Sequence, residues 1–498
     1  MRTPSASILL LLAAAVWAGG TTQFAVAQGY GHPLTMQGVD RHSLPSAASR
    51  GAGGITVGMA GDPSIMFANP AALRNIDGIH LSFGALSRTG SQEQIQEWYP
   101  LRNFPTFSLM MEGLIDQIDD PDLSEVPEGG FGPEDSIARP YDSIKPNWSH
   151  QQPRSRSLQA FVAFPVELSG LRVVLGAGAT EYAKLDYYFQ NNNVLSPSIG
   201  SQRPVGIPLP AIGQELSAQW SQYLQQREGS IHGYGAALSV DLLDELSVGV
   251  SLLVLDGKTD DRETTISRGR IRFGNNNSVF YHSLDSVYAR TISVGTSEFS
   301  GSELCLSAMY QRGALGLSLI VKPPNRITRQ FSTLIEYDTT GTPTSNLVQG
   351  EDRLLLPWRG AGGISFAVRE DLMLGFEYEL RPFASAEYTS PSGDLSRPWL
   401  SSAVFRVGAE FRPAAWLAIR AGFGEQAEIF QEEGNALIGD PVRSNVYSVG
   451  LGLAFAGVRF NAAYQYAPAK YQDMWQTNVN RNSENRHTIV ADVSYVFR

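Results

Sequence analysis

The chain has 498 residues, a formal net charge of −11 and a single cysteine, Cys305. The acidic balance excludes a nucleic-acid partner, because phosphate binding needs a basic face, and one cysteine excludes an internal disulfide. Charged residues are 17% of the chain, below the roughly 25% of soluble proteins, while glycine (49) and aromatic residues (10%) are plentiful.

The N-terminus reads as a secretory signal peptide over 1–27. Arg2 precedes an apolar run at 8–18, and Ala25-Val26-Ala27 fits a small-x-small cleavage site before Gln28. No other apolar run approaches the ~20 residues that a membrane helix needs. The expectation is an exported protein, either soluble or a membrane β-barrel. Residues 51–73, GAGGITVGMAGDPSIMFANPAAL, alternate too poorly for a strand and hold too much glycine and proline for a long helix. They carry too many apolar side chains for a free linker, so they read as a compact buried segment that something must surround.

A long insertion to about 155 follows the first strand. Phe104, Phe107, Met111 and Leu114 recur at helix spacing and give one apolar face. Residues 112–142 read as a solvated acidic loop rather than a calcium site, since Asp116, Asp119, Asp120 and Asp122 match no ligand loop. A second helical face is expected from Ile212, Leu216, Trp220 and Tyr223.

Elsewhere the chain alternates with period two. Leu372, Leu374, Phe376, Tyr378 and Leu380 share one face, with Glu377, Glu379 and Arg381 on the other. Ile489, Ala491, Val493, Tyr495 and Phe497 share another, opposite Asp492 and Ser494. Fourteen strands are expected, near 78–88, 157–167, 170–184, 229–241, 245–258, 298–311, 313–325, 353–369, 371–388, 401–412, 415–428, 442–456, 457–469 and 485–498. The links after even strands are a few residues and those after odd strands are long. Strict short-long alternation over an even strand number is the pattern of an outer-membrane barrel. The inward positions then include Glu377, Glu379, Arg406, Glu410, Arg420, Arg459 and Asp492, which read as interior charge networks. The predicted fold is all-β: a transmembrane antiparallel β-barrel of about fourteen strands. An N-terminal segment, 28–76, plugs its lumen, and 77–498 form the barrel, with long outer loops at 88–156, 185–228, 258–297 and 326–352. No cofactor is expected. No Ser/His/acid set converges by periodicity among His80, His150, His232, His282 and His487, so no enzyme is expected either.

Two places carry a resemblance. MAGDPSIMFANPAAL, with Asn69-Pro70-Ala71 and Asp62 upstream, resembles the N-terminal hatch of FadL-type outer-membrane transporters. FRVGAEFRPAAWLAIRAGFGEQ and VYSVGLGLAFAGVRFNAAYQY are similar to paired strands near the end of that family. The resemblance implies a monomeric barrel that takes up long-chain fatty acids or other hydrophobic compounds by passive diffusion. Met66, Phe67, Asn69, Pro70 and Ala71 are then hatch and ligand-binding residues, and the two apolar helical faces form an outer groove. A lateral opening is expected at a weakened third strand, with Gly176 and Gly178 as its candidates. Such a barrel meets outer-membrane lipid and lipopolysaccharide and, during biogenesis, the barrel assembly machinery of a Gram-negative-type bacterium. The alternative is a FadL-like barrel that docks or secretes protein cargo, for which a wide open lumen would speak.

Overall fold

The computed structural model describes residues 34–43, 46–58, 62–98, 147–191, 215–276, 279–285, 289–338, 343–397, 399–427, 443–475 and 478–497. Fourteen strands form one closed antiparallel barrel. They are β1 (Ile79–Trp98), β2 (Trp148–Leu168), β3 (Leu171–Lys184, resumed as Tyr187–Asn191), β4 (Glu215–Asp241), β5 (Leu246–Asn276), β6 (Val279–Asp285, resumed as Ala289–Arg312) and β7 (Leu315–Lys322, resumed as Asn325–Asp338). The ring continues with β8 (Thr344–Leu356, resumed as Arg359–Arg369), β9 (Leu372–Arg381, resumed as Glu387–Thr389), β10 (Leu395–Ser396, resumed as Ser402–Ala414), β11 (Leu417–Ala427), β12 (Arg443–Phe455), β13 (Val458–Trp475) and β14 (Asn478–Phe497). β14 pairs with β1 from Ile79↔Phe497 to Trp98↔Asn478, so the sheet has no free edge at its seam.

Alternation decides which side chain meets what. On β5, Ser251, Leu253 and Leu255 are buried, while Leu252 and Val254 are exposed to the outside. Above Val254 the outward row turns to Asp256, Lys258 and Asp260, which marks the upper edge of an apolar band. The same band continues as Leu317, Leu319 and Val321 on β7 and as Leu374, Phe376, Tyr378 and Leu380 on β9. Two short connections, Ser169-Gly170 and Ala456-Gly457, have all four residues at positive φ. That is the mirror-image turn whose twist matches a two-residue hairpin.

The inward charges pair as expected. Arg406 bonds Glu377 (2.8 Å) and Glu379 (2.6 Å), Arg381 bonds Glu379 (2.8 Å), and Arg420 bonds Glu410 (2.6 Å).

The strands run further than expected. Much of the stretches read as loops at 185–228, 258–297 and 326–352 is ladder: Glu215 pairs with Gly274, and Arg326 to Tyr337 pair with Leu355 to Thr344. The ladder of β7 and β8 is interrupted at Pro323-Pro324 and Pro357, where proline supplies no N–H. β8 pairs again below that level, from Arg359↔Lys322.

Candidate functional site

The N-terminal segment lies inside the ring. Its one α-helix among the described residues is α1 (Ala47–Gly51), capped by Ser46, whose Oγ accepts from the Ser49 N–H at 3.0 Å. Two 3-10 turns follow, Pro63–Phe67 and Pro70–Asn75. Proline opens each turn with a φ already suited to it. Asp62 caps the first: its Oδ1 accepts from the Ser64 N–H at 3.0 Å, and its Oδ2 accepts from the Ser46 hydroxyl. Met66, Phe67, Asn69, Pro70 and Ala71 are all buried against barrel strands. Phe67 packs on Phe161 of β2, with ring centroids 6.2 Å apart.

Ala71 is held by hydroxyls from three neighbouring strands. Its N–H donates to Ser307 of β6 at 2.8 Å. Its carbonyl accepts from Ser247 of β5 at 3.0 Å and from Ser239 of β4 at 3.3 Å. Gly249 of β5 lets the backbone come this close, because a Cβ there would stand 2.3 Å from the Ala71 nitrogen. Asn69 makes no side-chain cap bond. Its Nδ2 reaches 3.5 Å to the Thr56 hydroxyl, and Thr56 in turn donates to Glu377 at 2.7 Å. The carboxamide therefore ties two parts of the segment together instead of closing its own turn.

At the other end, two arginines hold the chain. Arg227 bonds both oxygens of Asp261 at 2.7 Å and donates to the Thr35 carbonyl at 2.7 Å. Arg329 bonds Asp352 and donates to the Leu34 carbonyl at 2.5 Å. Leu34 packs among Tyr187 and Phe189. Sequence reasoning missed this clamp. Its signal was there in retrospect: arginine on an inward row, opposite aspartate on the next strand.

The wall is discontinuous between β2 and β3. Their ladder runs from Leu168↔Leu171 up to Ala160↔Ala179 and stops. Above that level, among the described residues, β2 pairs with β1 and β3 with β4, but β2 and β3 no longer pair with each other. Tyr188 bridges the top of the gap by stacking on His150 at 3.6 Å. Inside lies a cavity of about 200 Å3 bounded by His42, Arg50 and Thr56 of the segment and by Ile320, Lys322, Arg359, Glu379 and Phe405 of the wall. A second cavity of about 140 Å3 shares His42, Arg50 and Gln465 with it and reaches Gln152, Pro153, Ser155 and Lys184. A third, of about 210 Å3, shares Gln152, Ser155, Lys184 and Asp186 and lies at the gap. The three form a chain from the segment to the wall. Their lining is mixed, apolar and charged, rather than wholly apolar.

His42 stands where the first two cavities meet. Its ring lies edge-on to Tyr182, and both ring nitrogens are buried without a hydrogen-bond partner among the described residues. Burial holds the imidazole well below its usual 6.5; Arg359, Lys322 and Arg381 push the same way, and Glu303 opposes them. Above the unfolded value both states are neutral. As pH falls below it, the unfolded chain takes a proton that the folded chain refuses, so stability declines. The thermal midpoint of the parent protein is expected to fall further between pH 7 and pH 5 than that of His42→Gln; equal falls would contradict this assignment.

The structure places the other expected site residues as follows. Gly176 faces the segment, where a Cβ would stand 2.9 Å from Met66 Cε, and Gly178 lies under the Phe161 ring. Both lie on the paired part of β3, Gly178 one residue before the β2–β3 ladder ends at Ala179, and β3 itself breaks higher, at Leu185-Asp186. The helical face predicted at Ile212, Leu216, Trp220 and Tyr223 is not a helix from 215 onward. Leu216, Trp220 and Tyr223 belong to β4, paired with Phe273, Gly269 and Thr265 of β5. Spacing of four residues suits both periods, and Leu216, Ala218 and Trp220 also alternate, so ladder formation decided the matter. Phe104, Phe107, Met111 and Leu114, Ile212, the acidic loop and the signal peptide lie outside the described residues.

A closed fourteen-stranded barrel with an apolar outward band and its own N-terminal segment seated in the lumen has the FadL-type fold. The solved structures similar to it bear this out. A Pseudomonas aeruginosa FadL homologue superposes with a TM-score of 0.56 at 13% identity, over 91% of this chain and 98% of that one. The CymD monoaromatic hydrocarbon channel gives 0.52 at 13% identity, over 91% and 98%. The P. putida toluene transporter TodX gives 0.50 at 12% identity, over 92% and 99%. No protein-family model and no curated protein sequence matches the chain.

Proposed function

We propose that this barrel is an outer-membrane channel for passive uptake of hydrophobic small molecules, long-chain fatty acids among them. The observation that carries the reading is the chain of cavities from the N-terminal segment to the unpaired β2–β3 wall. It gives a solute a way sideways out of a lumen whose axis is filled. The FadL-type fold, shared with structures described as hydrocarbon channels and a toluene transporter, supports the same reading. Apolar Ile320, Val404 and Phe405 stand beside Lys322 and Arg359, two cations that share the one carboxylate of Glu303, and this excess of positive charge suits a hydrocarbon with an acidic head better than a bare hydrocarbon. The segment in the lumen acts as a hatch. A lumen occupied by buried segment residues, instead of a wide bore, favours uptake over cargo docking.

The test is uptake of a labelled long-chain fatty acid by cells making the protein. Asn69→Ala and Pro70→Ala are expected to leave a heat-modifiable barrel and to lower uptake. Parent uptake no faster than in cells without the protein, with no lipid bound to purified barrel, overturns the reading.

A further inference from the structure

The gap between β2 and β3 is not empty on its inner side. The hatch backbone crosses it: His42 forms an antiparallel bridge with Ala183, and the Ser43 N–H donates to the Tyr182 carbonyl at 2.8 Å. The hatch thus adds a short strand to the edge of β3 that β2 leaves unpaired. Side chains reinforce it. Glu181 of β3 accepts from the Ser43 hydroxyl at 2.8 Å and from the Arg88 guanidinium of β1, and Arg88 also donates to Ser43 Oγ at 2.6 Å. Glu181 is buried, so its charge is held by these contacts and not by water.

Both partners of the ion pair stand at ladder irregularities. The β1–β2 register shifts between Arg88 and Gly90, and the β3–β4 register shifts between Glu181 and Ala183. Such shifts re-aim a side chain that a regular strand would point elsewhere. Arg88 shares the inward parity of Ser82 and Leu86, while Glu181, on the opposite parity to inward Gly176, is turned inward where the β3–β4 register slips, so two opposite charges meet across the interrupted stretch of wall between β2 and β3. Arg88 also lines the middle cavity, between the hatch and the gap.

We propose that Arg88, Glu181 and Ser43 form a latch that keeps the β2–β3 window shut, and that breaking the Arg88–Glu181 pair opens the passage from the hatch to the lipid. An amphiphile with an acidic head competes with Glu181 for Arg88, so cargo arriving in the middle cavity releases the latch. The last step rests on the uptake reading; the latch itself does not.

The test uses a single reporter thiol. Cys305 is replaced by serine and Ser155, which lines the passage, by cysteine. The barrel is placed in liposomes and the labelling rate by a small charged methanethiosulfonate is measured. Arg88→Gln and Glu181→Gln are each expected to raise the rate at least fivefold. Arg88→Lys, which keeps the charge, is expected to stay within twofold of the parent. The exchanged pair Arg88→Glu with Glu181→Arg is expected to bring the rate back down. Unchanged rates in the glutamine variants overturn the latch, and so do raised rates that the exchanged pair fails to lower, since that is the mark of general loosening. Labelling needs no cargo, so a failure to take up fatty acid alongside a working latch faults the uptake reading alone.

Discussion

Gly249→Val is expected to unseat the Asn69–Ala71 turn while leaving the barrel closed. The added Cβ would meet backbone on the hatch side, 2.3 Å from the Ala71 nitrogen and 2.5 Å from the Pro70 carbonyl carbon. Backbone cannot rotate aside as a side chain can. The turn must withdraw, and it then forfeits its bonds to Ser307, Ser247 and Ser239. Overpacking of this kind costs about 1–3 kcal/mol, and each lost buried bond adds about 1 kcal/mol. The sum is on the order of 4–6 kcal/mol, borne by hatch seating and not by strand pairing. The check is thiol labelling of Ala72→Cys, expected to rise at least tenfold in the Gly249→Val background, with the heat-modifiable shift of the barrel on a denaturing gel unchanged. Labelling as slow as in the parent would mean that the turn does not depend on this close approach.

Arg329→Ala is expected to be the most damaging single truncation on the inner wall. Arg329 and Asp352 are both buried, and Asp352 keeps only the Tyr388 hydroxyl, at 3.0 Å, once the guanidinium is gone. Removing one partner of a buried ion pair costs about 3–5 kcal/mol, because the other charge is left without compensation. The Leu34 carbonyl loses its donor in the same step. Arg329→Lys retains the charge but not the forked geometry and should recover only part of the loss. The control is one strand away. Arg353 pairs with Glu351 at 2.8 Å on the outward face, half exposed, and Arg353→Ala should cost less than about 1 kcal/mol. Thermal midpoints of the three variants check the ranking. An Arg329→Ala barrel as stable as Arg353→Ala would refute the clamp.

The barrel was legible because its physics is local. A side chain on a strand faces either lipid or lumen, so Leu374-Gly375-Phe376-Glu377 announces both faces in four residues. The interior charges followed from the same parity. The Asn-Pro-Ala turn could be found as a segment too apolar for a linker, but its seat could not. Ser239, Ser247 and Ser307 are unremarkable inward serines until three strands bring them to one peptide group. The upper strands were misjudged for a related reason. Residues 326–352 carry polar side chains on both faces, because both face water or the wet interior at that height, and polarity without alternation reads as loop. Prolines at 323, 324 and 357 strengthened that impression, yet the ladder resumes beyond them. Gly176 and Gly178 pointed to the strand where pairing ends, and Gly178 stands one residue before that end. They also serve close approach to Met66 and Phe161, and the two registers slip just above the end of pairing.

The length of β5 fixes where this protein first meets its surroundings. Its 31 residues rise ~3.3 Å each, or ~100 Å along the strand. At a tilt of about 40° that is roughly 75–80 Å of height, of which the apolar band takes ~25 Å. Nearly all the remainder stands on the outer side, since the inner connection to β4 spans only residues 242–245. β4, 27 residues long, rises beside it, so this side of the wall stands roughly 40–50 Å above the band, whereas β11, with 11 residues, ends near the band's edge. A solute approaching from water on that side meets the tall β4–β5 ridge before it meets the apolar band. The rim is therefore lopsided, and the low side over β11 is the shorter way into the lumen.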